Sequence, residues 1–240
     1  MKLDRKRVRA MFFKELREYR RNKFIIGTMA VIPAVFIALP LVVVLVLPSS
    51  SAGSLTQDHI LVYVLGVPAI VPTVVAAYSV VSERQQGTLE PLLTTPVRRQ
   101  ELLLGKALAA LAPALAVSFL VYGFFIGMVE LFAHPGVAAA AIHSGDVIAI
   151  FLLAPLMASW AIWTGFSISA RANDFRVSQQ LCTFASFPPL AVTSLAGFNL
   201  IHASFGLAIA GAVVLALFAA FGWWLMLVSF DRERLIANTR

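Results

Sequence analysis

Residues 24–47 read FIIGTMAVIPAVFIALPLVVVLVL, 24 positions with no charged side chain, of which 20 are apolar. A hydrocarbon core of ~30 Å is crossed by about 20 helical residues at ~1.5 Å each. In lipid the backbone must satisfy its own hydrogen bonds, and a run this long and apolar does so only as a helix. Five further stretches share the property: 60–82, 107–129, 147–169, 177–197 and 205–230. None alternates in polarity over about ten residues, as a barrel strand would. The expectation is an all-α polytopic membrane protein of six transmembrane helices. A 60% hydrophobic and 13% charged composition, with a mean hydropathy of +0.86, agrees with it.

The charges between these runs are sorted by side. Of the 19 Lys and Arg residues, ten lie in 1–23, and Arg84, Arg98, Arg99 and Lys106 follow the second run. Arg171 and Arg176 follow the fourth, and Arg232, Arg234 and Arg240 close the chain. The alternate loops hold only Asp58, Glu130 and Asp146, with His59, His134, His143 and His202. By the positive-inside rule both termini are cytoplasmic. A basic arm beside a membrane is read as facing anionic lipid, and nucleic acid is discounted as a partner. The lone cysteine, Cys182, lies within a run, which excludes a disulfide framework. Residues 50–52 are small enough for signal cleavage, but the apolar run before them is too long for a signal peptide and is read as a retained span.

Residues 1–23 are expected to form a cytoplasmic amphipathic interfacial helix ahead of a six-span transmembrane domain at 24–230, and 231–240 to form a cytoplasmic tail. Val8, Met11, Phe12, Leu16 and Tyr19 share a helical face, with Arg9, Lys14, Arg17, Arg20 and Arg21 around the other. Glu15 falls inside the apolar face; either it snorkels to water or it pairs with a basic residue at a span end. In the cytoplasmic segment 83–106, Gly87 ends the second helix, Thr88 caps a short helix over 89–94, and Pro91 is tolerated in its first turn. Thr95 then caps a longer helix that begins at Pro96. Leu89, Leu92 and Leu93 make an i, i+3, i+4 patch that either rests on the membrane or bundle or seats in a partner's groove. The fifth run has only 11 apolar residues in 21; Ser178, Gln179, Gln180, Thr183, Ser186, Thr193 and Ser194 are polar, and Pro188-Pro189 interrupts the helix. Such a span faces a pathway or a second subunit, or makes ordinary interhelical hydrogen bonds.

Several chemistries are missing. No run contains Asp, Glu, Lys, Arg or His, which argues against a carrier with an ionisable relay. Gly105-Lys106 matches only the end of a phosphate loop, with Gln100 and Ala107 at the other defining positions. Catalytic residues, cofactor sites and metal sites are therefore not expected, and the loop histidines lack metal-ligand spacing.

The stretch Ser82-Glu83-Arg84-Gln85-Gln86-Gly87-Thr88-Leu89-Glu90-Pro91-Leu92-Leu93-Thr94-Thr95-Pro96, with Glu101 and Gly105-Lys106 after it, resembles the signature segment of the type-two permeases of ATP-binding-cassette (ABC) transporters. Phe13-Lys14-Glu15-Leu16-Arg17 is similar to the family's interfacial-helix motif, and Arg171 to Arg176 to its second cytoplasmic loop. The resemblance implies an exporter in a prokaryotic plasma membrane, built from two permeases (a second copy or a paralogue) and two separate ABC ATPase subunits that bind ATP and Mg. This chain would not itself be an enzyme. Glu83, Gly87, Thr88, Leu89, Glu90, Leu92 and Leu93, with Arg171 and Asp174, would couple to the ATPase; Gln179, Gln180, Thr183, Ser186, Pro188 and Pro189 would line the pathway or the dimer interface. The segment between the fifth and sixth runs is short for the family, so an outer gate would be confined to residues 188–203. A membrane scaffold that recruits a cytoplasmic protein, or a secondary transporter, is the competing reading.

Overall fold

The computed structural model describes residues 4–46, 48, 60–85, 98–172, 174–197 and 205–229. Among these, every regular element is an α-helix: α1 (Arg5–Arg21), α2 (Lys23–Val46), α3 (Ile60–Tyr63), α4 (Gly66–Gln85), α5 (Arg99–Phe132), α6 (Pro135–Ala141), α7 (Ser144–Ser169), α8 (Phe175–Ala185), α9 (Phe187–Gly197) and α10 (Phe205–Ser229). Five segments are long and apolar enough to cross a membrane: Lys23–Val46, Ile60–Ser79, Gln100–Phe132, Ser144–Ser169 and Gly206–Trp224. The second of these is the hub, far more deeply buried within the bundle than the other four. It packs on α2, α5, α7 and α8, while α10 leans on the far side of α7.

Small residues set the closest approaches. A Cβ on Gly165 of α7 would lie 2.7 Å from the Cβ of Ala76 on α4, so the two backbones meet where neither carries bulk. Lipid tails are as apolar as leucine, and dense contact of this kind is what holds membrane helices together. Trp163 meets Trp223 edge to face at 4.9 Å between centroids, and Trp160 meets Phe218 at 5.1 Å, fixing α10 to α7.

The structure departs from the sequence reading at several helix boundaries. The run 60–82 is not one helix: it turns at Val64-Leu65, three residues before Pro68, the first proline of α4. Pro68 has no N–H for the carbonyl of Val64, and the N–H of Val67 takes that carbonyl at 3.0 Å instead. The run 177–197 is divided at Ser186 into two helices of 11 residues, each ~16 Å long and too short alone to cross. Pro188 and Pro189 then occupy the first turn of α9, where a missing N–H is harmless. Pro189 would otherwise bond the carbonyl of Ala185, and Trp160 Nε1 donates to that oxygen at 3.0 Å.

The helix leading into the third run starts at Arg99, not Pro96. Arg98 is extended (ψ 143°), and its N–H is held by Glu101 Oε2 at 3.1 Å, so the carboxylate stops the helix from growing backward. The longer helices also carry Glu101, Lys106 and Asp146 into buried positions, so the expected absence of ionisable groups applies to the apolar runs and not to the helices that contain them.

Candidate functional site

α1 begins at Asp4, whose Oδ1 accepts the N–H of Lys6 at 2.9 Å, and it ends at Asn22. Asn22 Oδ1 accepts the N–H groups of Phe24 and Ile25 at 2.9 and 3.3 Å and so caps α2 one residue later. The result is a tight elbow. It lays α1 across α5, where a Cβ on Gly105 would fall 2.6 Å from the Cβ of Met11 and 3.1 Å from the carbonyl of Val8. Glycine is needed there because helix backbone, not a flexible side chain, occupies the space.

Beside Gly105 the apolar face of α1 delivers its odd residue. Glu15 is ion-paired rather than snorkelling: Lys106 Nζ lies 3.1 Å from its Oε1, and both residues are 1% exposed. Lys106 also donates to the carbonyl of Ser79 at 3.4 Å and to its hydroxyl at 3.2 Å, so three acceptors surround an ammonium with three protons. Lys14 reaches Glu15 Oε1 at 2.9 Å, while Tyr19 and Ser79 donate to Oε2 at 3.4 and 3.5 Å. Burying each ion costs several kcal/mol, which this dense set of partners offsets. Burial alone raises the Glu15 carboxyl, but Lys106 and then Lys14 outweigh it and hold the group below its ordinary value of 4.5.

A second carboxylate clamps the start of α5. Glu101 accepts the N–H of Asp4 at 2.9 Å on one oxygen and that of Arg98 on the other, and Arg7 approaches at 3.6 Å. α1 is thus fastened to α5 at both Glu101 and Lys106, and through Ser79 to the central helix α4. Neither Lys106, Ser79 nor Glu101 was singled out as a site residue. The pointer was Glu15 itself, one carboxylate on an apolar face, but its partner lies 91 positions away.

Among the coupling residues expected from sequence, Glu83 falls in the last turn of α4, and Gly87, Thr88, Leu89, Glu90, Leu92 and Leu93 lie outside the described residues. Arg171 is exposed and donates to the carbonyl of Ser167 at 3.2 Å, at the C-terminal end of α7 where a cation is favoured. Asp174 stands exposed at the N-cap of α8. The pathway set divides. Ser186 is buried and donates to the carbonyl of Cys182 at 3.3 Å, and Thr183 donates to that of Gln179 at 2.9 Å. Gln179 and Pro189 are half-buried, whereas Gln180 and Pro188 lie on an open face with Val177, Leu181 and Phe184. Ser169 and Ser178 hydrogen-bond at 2.8 Å and, with the bond from Trp160 to Ala185, tie α7 to α8.

Residues 6–194 match the sequence profile of the ABC-2 type transporter family, a stretch that runs from α1 into α9. The chain belongs to the ABC-2 type transporter family. Among curated proteins none matches it. ABC-2 membrane domains are the permease components of their transporters and not catalysts, and the apolar helices make this one an integral membrane protein. The match includes the Lys-Glu of α1 and the Gly-Lys of α5, the two ABC-2-like motifs that the structure brings into contact.

Proposed function

We propose that this permease forms the substrate pathway of an exporter in a prokaryotic plasma membrane, driven by separate ATPase subunits that bind ATP and Mg. The observation that carries this reading is the fastening of Arg98. It lies four residues beyond Thr94, where the short helix expected from the sequence ends, and its N–H is held by the same carboxylate that holds the start of α1. A pull on that short helix would therefore move α1 and α5 together, and the Glu15–Lys106–Ser79 cluster would carry the displacement into α4. Leu89, Leu92 and Leu93 seat in a groove of the ATPase, with Glu83, Gly87, Thr88, Glu90, Arg171 and Asp174 around the contact. Closing the ATPases draws the two permeases' segments together, and a two-state bundle switches access. The open face of α8 and α9, bearing Gln180 and Pro188, lines the pathway or meets the second permease copy.

The test is reconstitution of the chain with its ATPase. The permease alone should hydrolyse no ATP, and the pair should. Leu92→Asp puts an unpaired carboxylate into an apolar groove, which costs more than the lost contact, and should abolish ATPase binding and transport while the membrane fold persists. Glu90→Ala should do less, since a rim charge affects encounter more than a buried contact. If Leu92→Asp leaves ATPase binding and transport intact, the coupling role is wrong.

A further inference from the structure

Of the eight cations of α1, two are paired with acids among the described residues. Arg7 and Lys14 have acidic partners: Arg7 has Asp4 and Glu101, and Lys14 has Glu15 and Glu18. Arg5 and Arg9, one turn apart and exposed, have no acidic partner among the described residues. They rim a groove of about 800 Å³ between α1 and the start of α5, floored by Phe12, Phe13, Leu104 and Leu108. This floor is not sealed by protein: Phe13 is 49% exposed and Leu108 40%. Arg9 lies over the Phe13 ring, 5.5 Å from its centroid, a cation–π contact that keeps the guanidinium beside the apolar floor.

We propose that this groove is a binding site for one anionic phospholipid, with Arg5 and Arg9 on the headgroup phosphate and an acyl chain lying over Phe13, Leu104 and Leu108. Two unpaired guanidinium groups one helical turn apart suit a phosphate, which they chelate with charge-assisted hydrogen bonds. A free phosphate would use the arginines and leave the apolar floor wet. A zwitterionic lipid would cover the floor but bring its own cation towards the rim. Only an anionic lipid satisfies both halves. Leu108 and Leu120 continue an exposed apolar side along α5, so the chain has a surface to follow away from the arginines.

The experiment uses the full chain in phosphatidylcholine vesicles that contain a phosphatidylglycerol with a diazirine in its acyl chain. After illumination, adducts should map by mass spectrometry to residues 12–13 and 104–108. Unlabelled phosphatidylglycerol should remove them, and added phosphatidylcholine or inorganic phosphate should not. Arg5→Gln with Arg9→Gln should lower the yield roughly thirtyfold, given about 1 kcal/mol per basic residue at an anionic surface. Arg5→Lys with Arg9→Lys should restore part of it. Arg17→Gln with Arg20→Gln removes the same charge from a second, smaller groove on α1 and should change the yield little. Equal loss in both glutamine pairs would mean diffuse attraction and overturn the site, as would equal adducts from a phosphatidylcholine probe or none at 104–108. The readout is binding alone, so its failure leaves the permease reading untouched.

Discussion

Glu15 and Lys106 are buried together, yet their removal should not be symmetrical. Glu15→Leu strands an ammonium among Ser79 and apolar neighbours, and breaking a buried pair in this way costs about 3–5 kcal/mol. Lys106→Met should cost less, because Lys14 still faces the Glu15 carboxylate at 2.9 Å from a half-exposed position. Glu15→Leu combined with Lys106→Met should be milder than Glu15→Leu alone, since no charge is left unpaired. Thermal unfolding in detergent, with proteolysis of α1 as a second readout, measures all three. The same pair predicts a pH response. A carboxyl whose folded value is depressed below 4.5 contributes its stability above that pH and loses it as pH falls through the lower folded value. Docking of α1 should therefore be flat from pH 8 down to about 5 and weaken only below about 4.5, whereas Glu15→Gln should show a smaller transition, the remainder coming from Glu101, which the N–H of Asp4 likewise holds below its ordinary value. At this scale the sequence was half legible. Glu15 among Val8, Met11, Phe12, Leu16 and Tyr19 demanded an explanation, and an ion pair at a span end was one of two offered. Lys106 could not be chosen as the partner because periodicity describes single helices, and the pairing depends on how α1 crosses α5.

Helix interruptions follow backbone donors and acceptors rather than hydropathy. Pro188-Pro189 announced a break in the fifth run, but two prolines can sit in the first turn of a new helix, so the break falls before them, at Ser186. What no sequence pattern supplied was the donor for the carbonyl left over: Trp160, 25 residues earlier on α7. Trp160→Phe should leave the part-buried Ala185 oxygen without that donor and destabilise by about 1 kcal/mol. Pro189→Ala restores an N–H four residues beyond Ala185, so in that background Trp160→Phe should cost distinctly less, and the double-mutant cycle reads the difference. Equal cost in both backgrounds would mean the indole matters only for packing against Phe218. The start of α5 was misplaced for a related reason. Thr95-Pro96 has the composition of a helix start, but Glu101 holds the N–H of Arg98, and a tertiary demand, the grip on Asp4, settles where that carboxylate points. Gly105 shows element packing most directly. Gly105→Val would drive a side chain into Met11 and the backbone of α1, so it should lift α1 from α5 even with Glu15 and Lys106 intact, and protease access to α1 should rise.

Two apolar clusters stack along the bundle, and they separate its ends. One gathers Tyr19, Ile25, Leu103, Ala107, Phe166 and Ala170 beneath α1; the other gathers Val64, Val129, Val137 and Ile150 near α6. α7 joins them as a continuous helix of 26 residues, ~39 Å long and more than enough to cross a ~30 Å core. Its start, with His143 and Asp146, therefore lies at the opposite end from Arg171, which shares its end with α1 and Lys106. The sorting of charge read from the sequence is thus a sorting in space among the described residues, because short connections leave little choice of side. Which end faces the cytoplasm follows from the positive-inside rule and can be measured on this one helix. In a Cys182→Ala background, Ser144→Cys places an exposed thiol at the start of α7, and Arg171→Cys places one just beyond its end. An impermeant maleimide applied to intact cells should label position 144 and spare position 171 until the cells are lysed. Labelling of 171 alone from outside would invert the orientation, place α1 and the segment at 86–97 outside, and remove the ATPase from reach. Labelling of both from outside would mean that α7 does not cross at all, in conflict with its length and with the apolar contacts along it.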